Sequence, residues 1–261
     1  LARIQDADAT LVITADGGFR KGGAFGLKAI VDEALKGETN VKSVLVVNRT
    51  GQDVSMTSRD VWWHDLVDQQ DSVHSPEFFD SEHPLFILYT SGTTGLPKGA
   101  MLTHGNIFWN TINVSLLEET MVGASLTCAP LFHIGGLNVT THISLVRGVA
   151  VVLHRSFDAG DVLRDIEKYK ISTMFGAPTM FTMMSQHENF NSTDFSSVIS
   201  FNVGSAPVPL PLLNIYADRG VAFCQGYGLT ETSPYVTVLG SKFATSKIGS
   251  AGQNLMFTTV R

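Results

Sequence analysis

The chain has 261 residues, of which 44% are hydrophobic, and carries a formal net charge of -6 at pH 7. This composition is typical of a globular protein, and the acidic balance argues against a nucleic-acid partner. The longest nearly apolar run, residues 143–153, contains Arg147 and is far shorter than the roughly 20 residues that span a bilayer, so no membrane insertion is expected. Cys128 and Cys224 are too few for a disulfide framework or a four-cysteine metal site, which favours a cytoplasmic location.

Short β-rich runs alternate along the chain with segments whose apolar residues recur every three or four positions. Such alternation is typical of βα units, so the predicted fold class is α/β, with mostly parallel sheets flanked by helices. Buried, central strands are predicted at residues 10–14, 43–48, 85–89, 125–129, 149–153, 172–175 and 198–203. Helices are predicted at residues 26–35, 106–117, 158–169 and 210–217. Residues 67–83, rich in Asp, Ser and Gln, form the predicted linker.

A loop rich in glycine and hydroxyl groups follows the third predicted strand. It reads Thr-Ser-Gly-Thr-Thr-Gly-Leu-Pro-Lys-Gly from position 90 to position 99. Glycine lets backbone N–H groups turn towards an anion, hydroxyls donate hydrogen bonds and the lysine ammonium offsets phosphate charge. The loop is therefore predicted to bind a polyphosphate, while a flexible surface connection fits the composition alone equally well. It is not a Walker A loop, because Gly99 follows Lys98 where that motif needs Ser or Thr.

The order of residues in this loop resembles the phosphate loop of the acyl-adenylate-forming, or AMP-binding, superfamily. Residues 225–232, Gln-Gly-Tyr-Gly-Leu-Thr-Glu-Thr, resemble the second nucleotide motif of that superfamily. Residues 130–137 and 204–207 resemble its acyl-pocket and adenine-pocket segments. The resemblance implies a fragment of the large N-terminal adenylation domain of an acyl-CoA synthetase. The implied activity is that of an ATP-dependent carboxylate–CoA ligase, which forms an acyl adenylate with release of pyrophosphate and then an acyl-CoA thioester.

The resemblance assigns roles to residues of the two nucleotide motifs. The ATP phosphates would be bound by Thr90, Ser91, Gly92, Thr93, Thr94, Gly95 and Lys98. The catalytic residues would be Lys98, Thr230 and Glu231, with Thr230 donating to the α-phosphate. Glu231 would hold Mg²⁺, which prefers carboxylate and phosphate oxygens, although an ordinary surface carboxylate is the alternative. Because the substrate carboxylate is the nucleophile, no Ser–His or Cys–His pair is expected.

The same resemblance implies an adenine site and an acyl pocket. Adenine would contact Gly204, Ser205, Ala206, Pro207, Gln225, Gly226 and Tyr227. Tyr227 would stack on the purine, with a core tyrosine as the alternative. The acyl pocket would be lined by His133, Gly135 and Gly228, with apolar surface from Phe132, Ile134 and Leu137. A core histidine is the alternative for His133. Acetyl-CoA synthetases carry tryptophan at the position of Gly228, so open space and an acid longer than acetate are expected here.

Residues 1 to about 90 resemble acetyl-CoA synthetase, whereas the remainder resembles medium- and long-chain fatty acyl-CoA ligases. Arg20 falls where acetyl-CoA synthetases place an arginine on a CoA phosphate, and a solvated loop charge is the alternative. We therefore divide the chain into an acetyl-CoA synthetase-like part, residues 1–83, and a nucleotide- and acyl-binding core, residues 84–261. The C-terminal domain that carries a catalytic lysine in such enzymes is expected to be absent.

The predicted ligands are ATP, Mg²⁺, coenzyme A and a small-molecule carboxylic acid. Three alternatives remain for the function: an acetyl-CoA synthetase, a nucleotide-binding fragment without turnover, and a non-catalytic interaction module. Adenylation for a carrier protein or a luciferase-like oxidation would share the adenylate and differ in its acceptor.

Overall fold

The computed structural model describes residues 1–20, 23–90, 97–117 and 123–261. They form two compact units, Leu1–Phe78 and Phe79–Arg261. The division falls inside the predicted linker. The boundary predicted after residue 83 was drawn from resemblance rather than from packing, and it stays a prediction.

The described part of the first unit contains a parallel sheet, a hairpin and short helices. Its strands are β1 (Leu11–Ala15), β2 (Gly17–Arg20), β3 (Gly23–Gly26), β4 (Ser43–Val47) and β5 (Asp60–Trp62). Its helices are α1 (Ala2–Asp6), α2 (Lys28–Ala34) and α3 (Trp63–Val67). The sheet order is β1–β4–β5, with both pairs parallel, and β2 pairs antiparallel with β3. β4 is the central strand, whereas β1 lies at the edge and is only partly buried, contrary to the prediction.

A buried lysine ties α2 to β5 in the first unit. Lys28 is fully buried, and its ammonium donates to Asp32 Oδ1 at 2.6 Å, Asp60 Oδ2 at 3.0 Å and the Ser55 carbonyl at 3.2 Å. Burial opposes ionisation of Asp60, but hydrogen bonds from the Thr57 backbone and side chain and from Lys28 outweigh it and lower the Asp60 pKa. The ammonium therefore holds the Asp60 carboxylate in its charged form inside the unit.

Replacing Lys28 with methionine is expected to destabilise the first unit by about 2 kcal/mol, because Asp60 would keep its buried charge and lose its cation. The loss is limited because Thr57 still donates two hydrogen bonds to Asp60. Native-state hydrogen exchange of the β4 amides measures this unit by itself. The control, Lys36→Met, removes a lysine that pairs with Glu33 where both side chains are 72% exposed, and should leave this exchange unchanged.

The pH dependence of the first unit follows from the lowered pKa of Asp60. Its stabilising contribution is present above the unfolded-state pKa of about 3.9 and is lost as the pH falls through the folded-state value. Lys28→Met should shrink this acid-dependent loss, since the pKa of Asp60 would lie closer to its unfolded value. Equal acid sensitivity in the Lys28→Met and Lys36→Met variants would contradict the assignment.

The described part of the second unit is built around a seven-stranded sheet. Its strands are β6 (Pro84–Thr90), β7 (Lys98–Thr103), β8 (Ala124–Thr127), β9 (Val151–Leu153), β10 (Ile171–Gly176), β11 (Ser200–Val203), β12 (Phe223–Gly228), β13 (Tyr235–Leu239) and β14 (Gln253–Asn254). Its α-helices are α4 (His104–Ser115), α5 (His142–Val146), α6 (Ala159–Lys168), α7 (Pro178–Ser185) and α8 (Leu210–Ala217). A π-helical segment, Gly136–Thr141, runs into α5, and 3₁₀ turns span Thr230–Thr232 and Ser241–Phe243.

The large sheet has the order β14–β13–β12–β11–β10–β8–β9. The strands from β12 to β9 are parallel, whereas β13 and β14 are antiparallel. Successive strand residues face opposite sides, so Phe223 packs in the core formed with α6, α7 and α8, while Cys224 joins the core with α4 and α5. Helices therefore cover both faces, and the predicted α/β class is confirmed. No helix in the described ranges is long and apolar enough to cross a membrane.

The strands around the phosphate loop form a separate antiparallel hairpin of β6 and β7. Phe86 and Leu88 face a small core that contains Leu102, whereas Leu85 and Ile87 are each 44% exposed. The prediction of a buried central strand is therefore wrong for β6, because within the described ranges it pairs with β7 alone and buries one face. β7 itself was not predicted.

Helix α4 starts directly after this hairpin because Thr103 caps it. The Thr103 hydroxyl accepts from Asn106 N at 3.1 Å, and the Asn106 side chain accepts from Thr103 N at 3.0 Å. This reciprocal pair satisfies two backbone donors at the helix start. The cap fixes α4 to the end of β7.

Candidate nucleotide and acyl site

The predicted site segments follow the carboxyl ends of parallel strands. Residues 130–137 follow β8, residues 204–207 follow β11, and Thr230–Thr232 follows β12. These strands lie in the order β8–β10–β11–β12. Ligands of open parallel sheets bind beyond the carboxyl ends of the strands. The sheet therefore brings the acyl, adenine and second nucleotide segments to one edge.

The two ends of the phosphate loop lie opposite each other in the β6–β7 hairpin. Thr90 ends β6 and pairs with Lys98, the first residue of β7, whose side chain is exposed. The turn Thr230–Thr232 lies beside β7, with Cα atoms within 8 Å. The predicted phosphate-binding residues between these ends lie outside the described residues: Ser91, Gly92, Thr93, Thr94 and Gly95. The structure thus places Lys98 and the Thr230–Glu231 pair on neighbouring elements of one unit.

Internal hydrogen bonds close the turn that carries Thr230 and Glu231. Leu229 N donates to Thr232 Oγ1 at 2.8 Å and to the Pro234 carbonyl at 3.2 Å, and the Thr232 hydroxyl also donates to that carbonyl. Ser233 has a left-handed backbone, with φ 74°, and its N–H donates to the Thr230 carbonyl at 3.3 Å. These bonds fix the backbone of the turn, and the Glu231 side chain is left exposed to solvent.

The donor set at this edge fits Mg²⁺. Within the described ranges, no three His, Cys, Asp or Glu residues form a group that could enclose a metal. Mg²⁺ is usually bound by one or two carboxylates together with substrate phosphates. Glu231 is exposed and is fixed on a turn beside the β6–β7 hairpin, called here the phosphate hairpin because it carries the phosphate loop. A single carboxylate shared with a nucleotide phosphate is consistent with that mode.

Gly228 does not border open space on the side where a side chain would project. A Cβ at this position would lie 1.8 Å from the Pro234 carbonyl oxygen and 3.2 Å from Tyr235 Cα. The expectation that glycine leaves the acyl channel open here is therefore wrong in its physical basis. Glycine is required instead because β12 and β13 approach each other at this bulge. Its place in the acyl pocket stays a prediction.

Phe175, at the end of β10, joins the acyl and adenine segments. A Cβ on Gly135 would lie 2.7 Å from the Phe175 ring, and one on Gly204 would lie 3.1 Å from the same ring. Glycine at both positions lets the two segments close on one buried aromatic side chain. Phe175 was missed because its strand carries no motif. Its position at the carboxyl end of a central parallel strand was the available signal.

The adenine segment is held by Gln225. Its Oε1 accepts from Val208 N at 3.2 Å, and its Nε2 donates to the Ser250 carbonyl at 3.3 Å. Ser205 has a left-handed backbone, with φ 72°, and its side chain is exposed together with those of Ala206 and Pro207. Gln225 therefore positions the segment through its side chain, and its contact with adenine stays a prediction.

The aromatic ring predicted to stack on adenine is accessible. Tyr227 is 50% exposed, so the alternative of a core tyrosine is wrong. Its neighbour Gly226 packs under Tyr235, whose ring would lie within 1.9 Å of an added Cβ. Tyr235 is buried, and burial raises its pKa well above the usual value, which keeps the phenol neutral. Stacking of Tyr227 on the purine stays a prediction.

The acyl segment exposes its histidine and buries its isoleucine. His133 is exposed, and its Nδ1 accepts from Gly135 N at 3.1 Å. The alternative of a core histidine is therefore wrong. A neutral ring that accepts at Nδ1 carries its proton on Nε2, which is then a donor. Ile134 packs with Leu102 in the core, contrary to the expected pocket lining, whereas Phe132 is 81% exposed.

Nearly the whole chain, including all residues of the candidate site, matches the model of a protein family. Residues 2–261 match the family model described as AMP-binding enzyme. The chain belongs to the AMP-binding enzyme family. The resemblance drawn from the four motifs is thereby confirmed.

Curated members of the AMP-binding family are similar to parts of this chain. A feruloyl-CoA synthase of an Amycolatopsis species is 47% identical over 178 residues, which cover 67% of this chain and 36% of that protein. An acetyl-coenzyme A synthetase of Streptomyces avermitilis is 43% identical over 188 residues, which cover 68% of this chain and 28% of that protein. The matches therefore span about a third of the length of these relatives.

A solved structure of the family supports the fold. The Mycobacterium tuberculosis fatty acyl CoA synthetase is 25% identical to this chain and superposes on it with a TM-score of 0.80. The superposition covers 98% of this chain and 47% of that one. Fatty acyl-CoA, acetyl-CoA and feruloyl-CoA synthetases are thus all similar to the chain. The predicted adenylation-domain fold is confirmed.

Arg20, the predicted CoA contact, lies at the exposed end of β2 in the first unit. Its hairpin is fixed by the buried carboxylate of Asp16, which accepts hydrogen bonds from the backbone N–H groups of Gly17, Arg49, Thr50 and Gln52. Burial opposes ionisation of Asp16, but these bonds outweigh it and hold its pKa far below the usual range. Lys21 lies outside the described residues. The contact between Arg20 and CoA stays a prediction.

Proposed function

We propose that this chain is the nucleotide- and acyl-binding part of an ATP-dependent carboxylate–CoA ligase. The observation that carries the proposal is the placement of the Thr230–Thr232 turn beside β7, the strand that begins with Lys98. Family membership gives this arrangement its chemical meaning, because Lys98 belongs to the first nucleotide motif and the turn, which follows the carboxyl end of β12, belongs to the second.

The proposed reaction proceeds in two displacements. An oxygen of the substrate carboxylate attacks the α-phosphorus of ATP, and the bond to the β-phosphate oxygen breaks, so that pyrophosphate leaves with the electron pair. The thiol of CoA then attacks the acyl carbon, its proton is lost, and AMP leaves. Lys98 would offset charge on the β- and γ-phosphates, and Thr230 would donate to the α-phosphate. Mg²⁺ held by Glu231 would supply further neutralisation of phosphate charge.

The first displacement has a direct test in carboxylate-dependent exchange of labelled pyrophosphate into ATP. The full-length protein that contains this chain should catalyse the exchange when a suitable acid is present. No exchange with a panel of acetate, hexanoate, palmitate and ferulate would overturn the proposal. The 261-residue chain by itself should exchange far more slowly, and a purified chain that makes acyl-CoA at about 1–1000 per second would contradict this expectation.

The preferred acid is proposed to be larger than acetate. The open space expected at Gly228 no longer supports this, but other observations do. Leu131 and Phe132 expose apolar surface beside His133, with 38% and 81% exposure, and a feruloyl-CoA synthase is among the similar proteins. Each buried methylene contributes about 0.8 kcal/mol. Specificity constants for the acid panel measure the preference, and a maximum at acetate would favour the acetyl-CoA synthetase alternative.

A further inference from the structure

Two buried asparagines connect α4 and the π-helical segment to the strand that follows the catalytic turn. Asn110 and Asn138 are 6% and 1% exposed. Asn110 Nδ2 donates to the Asn138 carbonyl at 3.1 Å, and Asn110 Oδ1 accepts from Tyr235 N at 3.4 Å. Asn138 Nδ2 donates to the Ser233 carbonyl at 3.4 Å. The two amides therefore hold the backbone on both sides of Pro234.

The elements that carry these amides also supply a buried apolar cluster, which includes Val114 of α4, Val139 of the π-helical segment and Tyr235 of β13. Apolar side chains at positions 110 and 138 would avoid the cost of burying an amide. Asn138 Oδ1 has no hydrogen-bond partner among the described residues, so the cost of burying this amide is only partly offset by its hydrogen bonds. Directional contacts to the backbone are what an apolar side chain cannot supply.

The backbone held in this way is the least regular part of the turn. Ser233 has a backbone φ of 74°, a conformation that residues other than glycine rarely adopt. Its carbonyl is fixed by Asn138, and the next donor along the chain, Tyr235 N, is fixed by Asn110. Ser233 N in turn donates to the Thr230 carbonyl. The position of Thr230 therefore depends on where Ser233 is held.

We propose that Asn110 and Asn138 are positioning residues for adenylate formation, which hold the Thr230–Glu231 turn beside the phosphate hairpin. Asn110 suits this task because α4 is capped by Thr103 at the end of β7, so one helix connects the hairpin to the turn. Asn138 lies in the π-helical segment, which begins within the acyl segment and continues beyond it. Such segments are frequent at functional sites. The inference rests on the proposed function.

Asparagine 113 provides a matched control on the same helix. It is also 6% exposed, but its Nδ2 donates to Thr258 Oγ1 at 3.2 Å and its Oδ1 accepts from Phe257 N at 2.9 Å. Asn113→Ala therefore removes the same side chain at the same burial without releasing the turn. A purely structural effect of losing a buried amide on α4 should appear equally in Asn110→Ala and Asn113→Ala.

In the full-length protein, Asn110→Ala and Asn138→Ala should each lower kcat of pyrophosphate exchange by about 10- to 100-fold, with a smaller change in KM for ATP. Asn113→Ala should change kcat less than about threefold. The Asn110→Ala/Asn138→Ala double variant should lose little more than either single variant, because both act on one turn. Equal loss in the Asn110 and Asn113 variants, or additive losses in the double variant, would overturn the proposal.

Hydrogen exchange separates this inference from the proposed function. Within residues 229–235, the N–H groups of Leu229, Thr232 and Ser233, whose acceptors lie inside the segment, should exchange about 10-fold faster in Asn110→Ala and Asn138→Ala than in the unmodified protein and in Asn113→Ala. This measurement needs no turnover. If the unmodified protein lacks pyrophosphate exchange, the proposed function fails while the hold on the turn is still measured. Unchanged protection of residues 229–235 in both variants would overturn the inference even in an active enzyme.

Discussion

Replacing Glu231 with glutamine should lower carboxylate-dependent pyrophosphate exchange by about 100- to 1000-fold, and Lys98→Ala should cause a loss of the same order. Both side chains are exposed, and they lie on neighbouring elements, the 3₁₀ turn and β7. Each substitution removes an exposed charge that is proposed to face the metal or the phosphates, so the effect should arise without a loss of folding stability.

The two variants should differ in their response to Mg²⁺. For Glu231→Gln the Mg²⁺ concentration that gives half-maximal exchange should rise, because the amide oxygen carries no net charge. For Lys98→Ala the loss should persist at every Mg²⁺ concentration. Controls are Glu188→Gln and Lys247→Ala, which remove exposed charges elsewhere in the second unit and should exchange at the unmodified rate. Exchange that survives both site substitutions would show that the site has been misplaced.

Much of the fold could be predicted from the sequence because it depends on local patterns. The strands near residues 43–48 and 172–175 are short β-rich runs, and both are central in the structure. Helix α4 was predicted from residue 106 onwards and begins at His104, where the Thr103 cap sets its start. Periodicity and capping act over a few residues, so the sequence carries them directly.

The arrangement of the candidate site was also partly predictable. Its motifs follow strand ends, and parallel strands bring such ends together. What the sequence could not show were contacts between distant segments. Phe175 meets Gly135 and Gly204, and Tyr235 meets Gly226, through packing that has no local pattern. The exposure of β6 likewise depends on which strands pair with it.

Gly228 shows how an alignment of motifs can lead to a wrong physical reason. Comparison with the tryptophan of acetyl-CoA synthetases at this position suggests that glycine leaves empty space there. The structure instead has the Pro234 carbonyl oxygen 1.8 Å from the position of a Cβ. Backbone of a neighbouring strand, unlike the end of a flexible side chain, cannot move aside without disturbing the β12–β13 pairing.

Gly228→Ala is therefore expected to destabilise the second unit by about 1–3 kcal/mol and to lower pyrophosphate exchange by about 100-fold. The methyl group must displace Pro234, whose carbonyl accepts from Leu229 N and from the Thr232 hydroxyl and so closes the turn that carries Thr230 and Glu231. Gly26→Ala is the matched control, because among the described residues a Cβ on that strand glycine comes within 4 Å of Gln52 Oε1 alone, at 3.9 Å. It should alter neither the thermal unfolding of the second unit nor the exchange rate.

Gly228→Trp extends the same test to substrate choice. If Pro234 blocks the position, the tryptophan should abolish exchange with acetate, hexanoate and ferulate alike, with faster hydrogen exchange of residues 229–235. If the indole instead enters an acyl channel, exchange with acetate should survive while exchange with the larger acids is lost, since each methylene excluded from a pocket changes discrimination by about 1–3 kcal/mol. That second pattern would contradict the collision with Pro234 and restore open space beside Gly228 as the determinant of acid length.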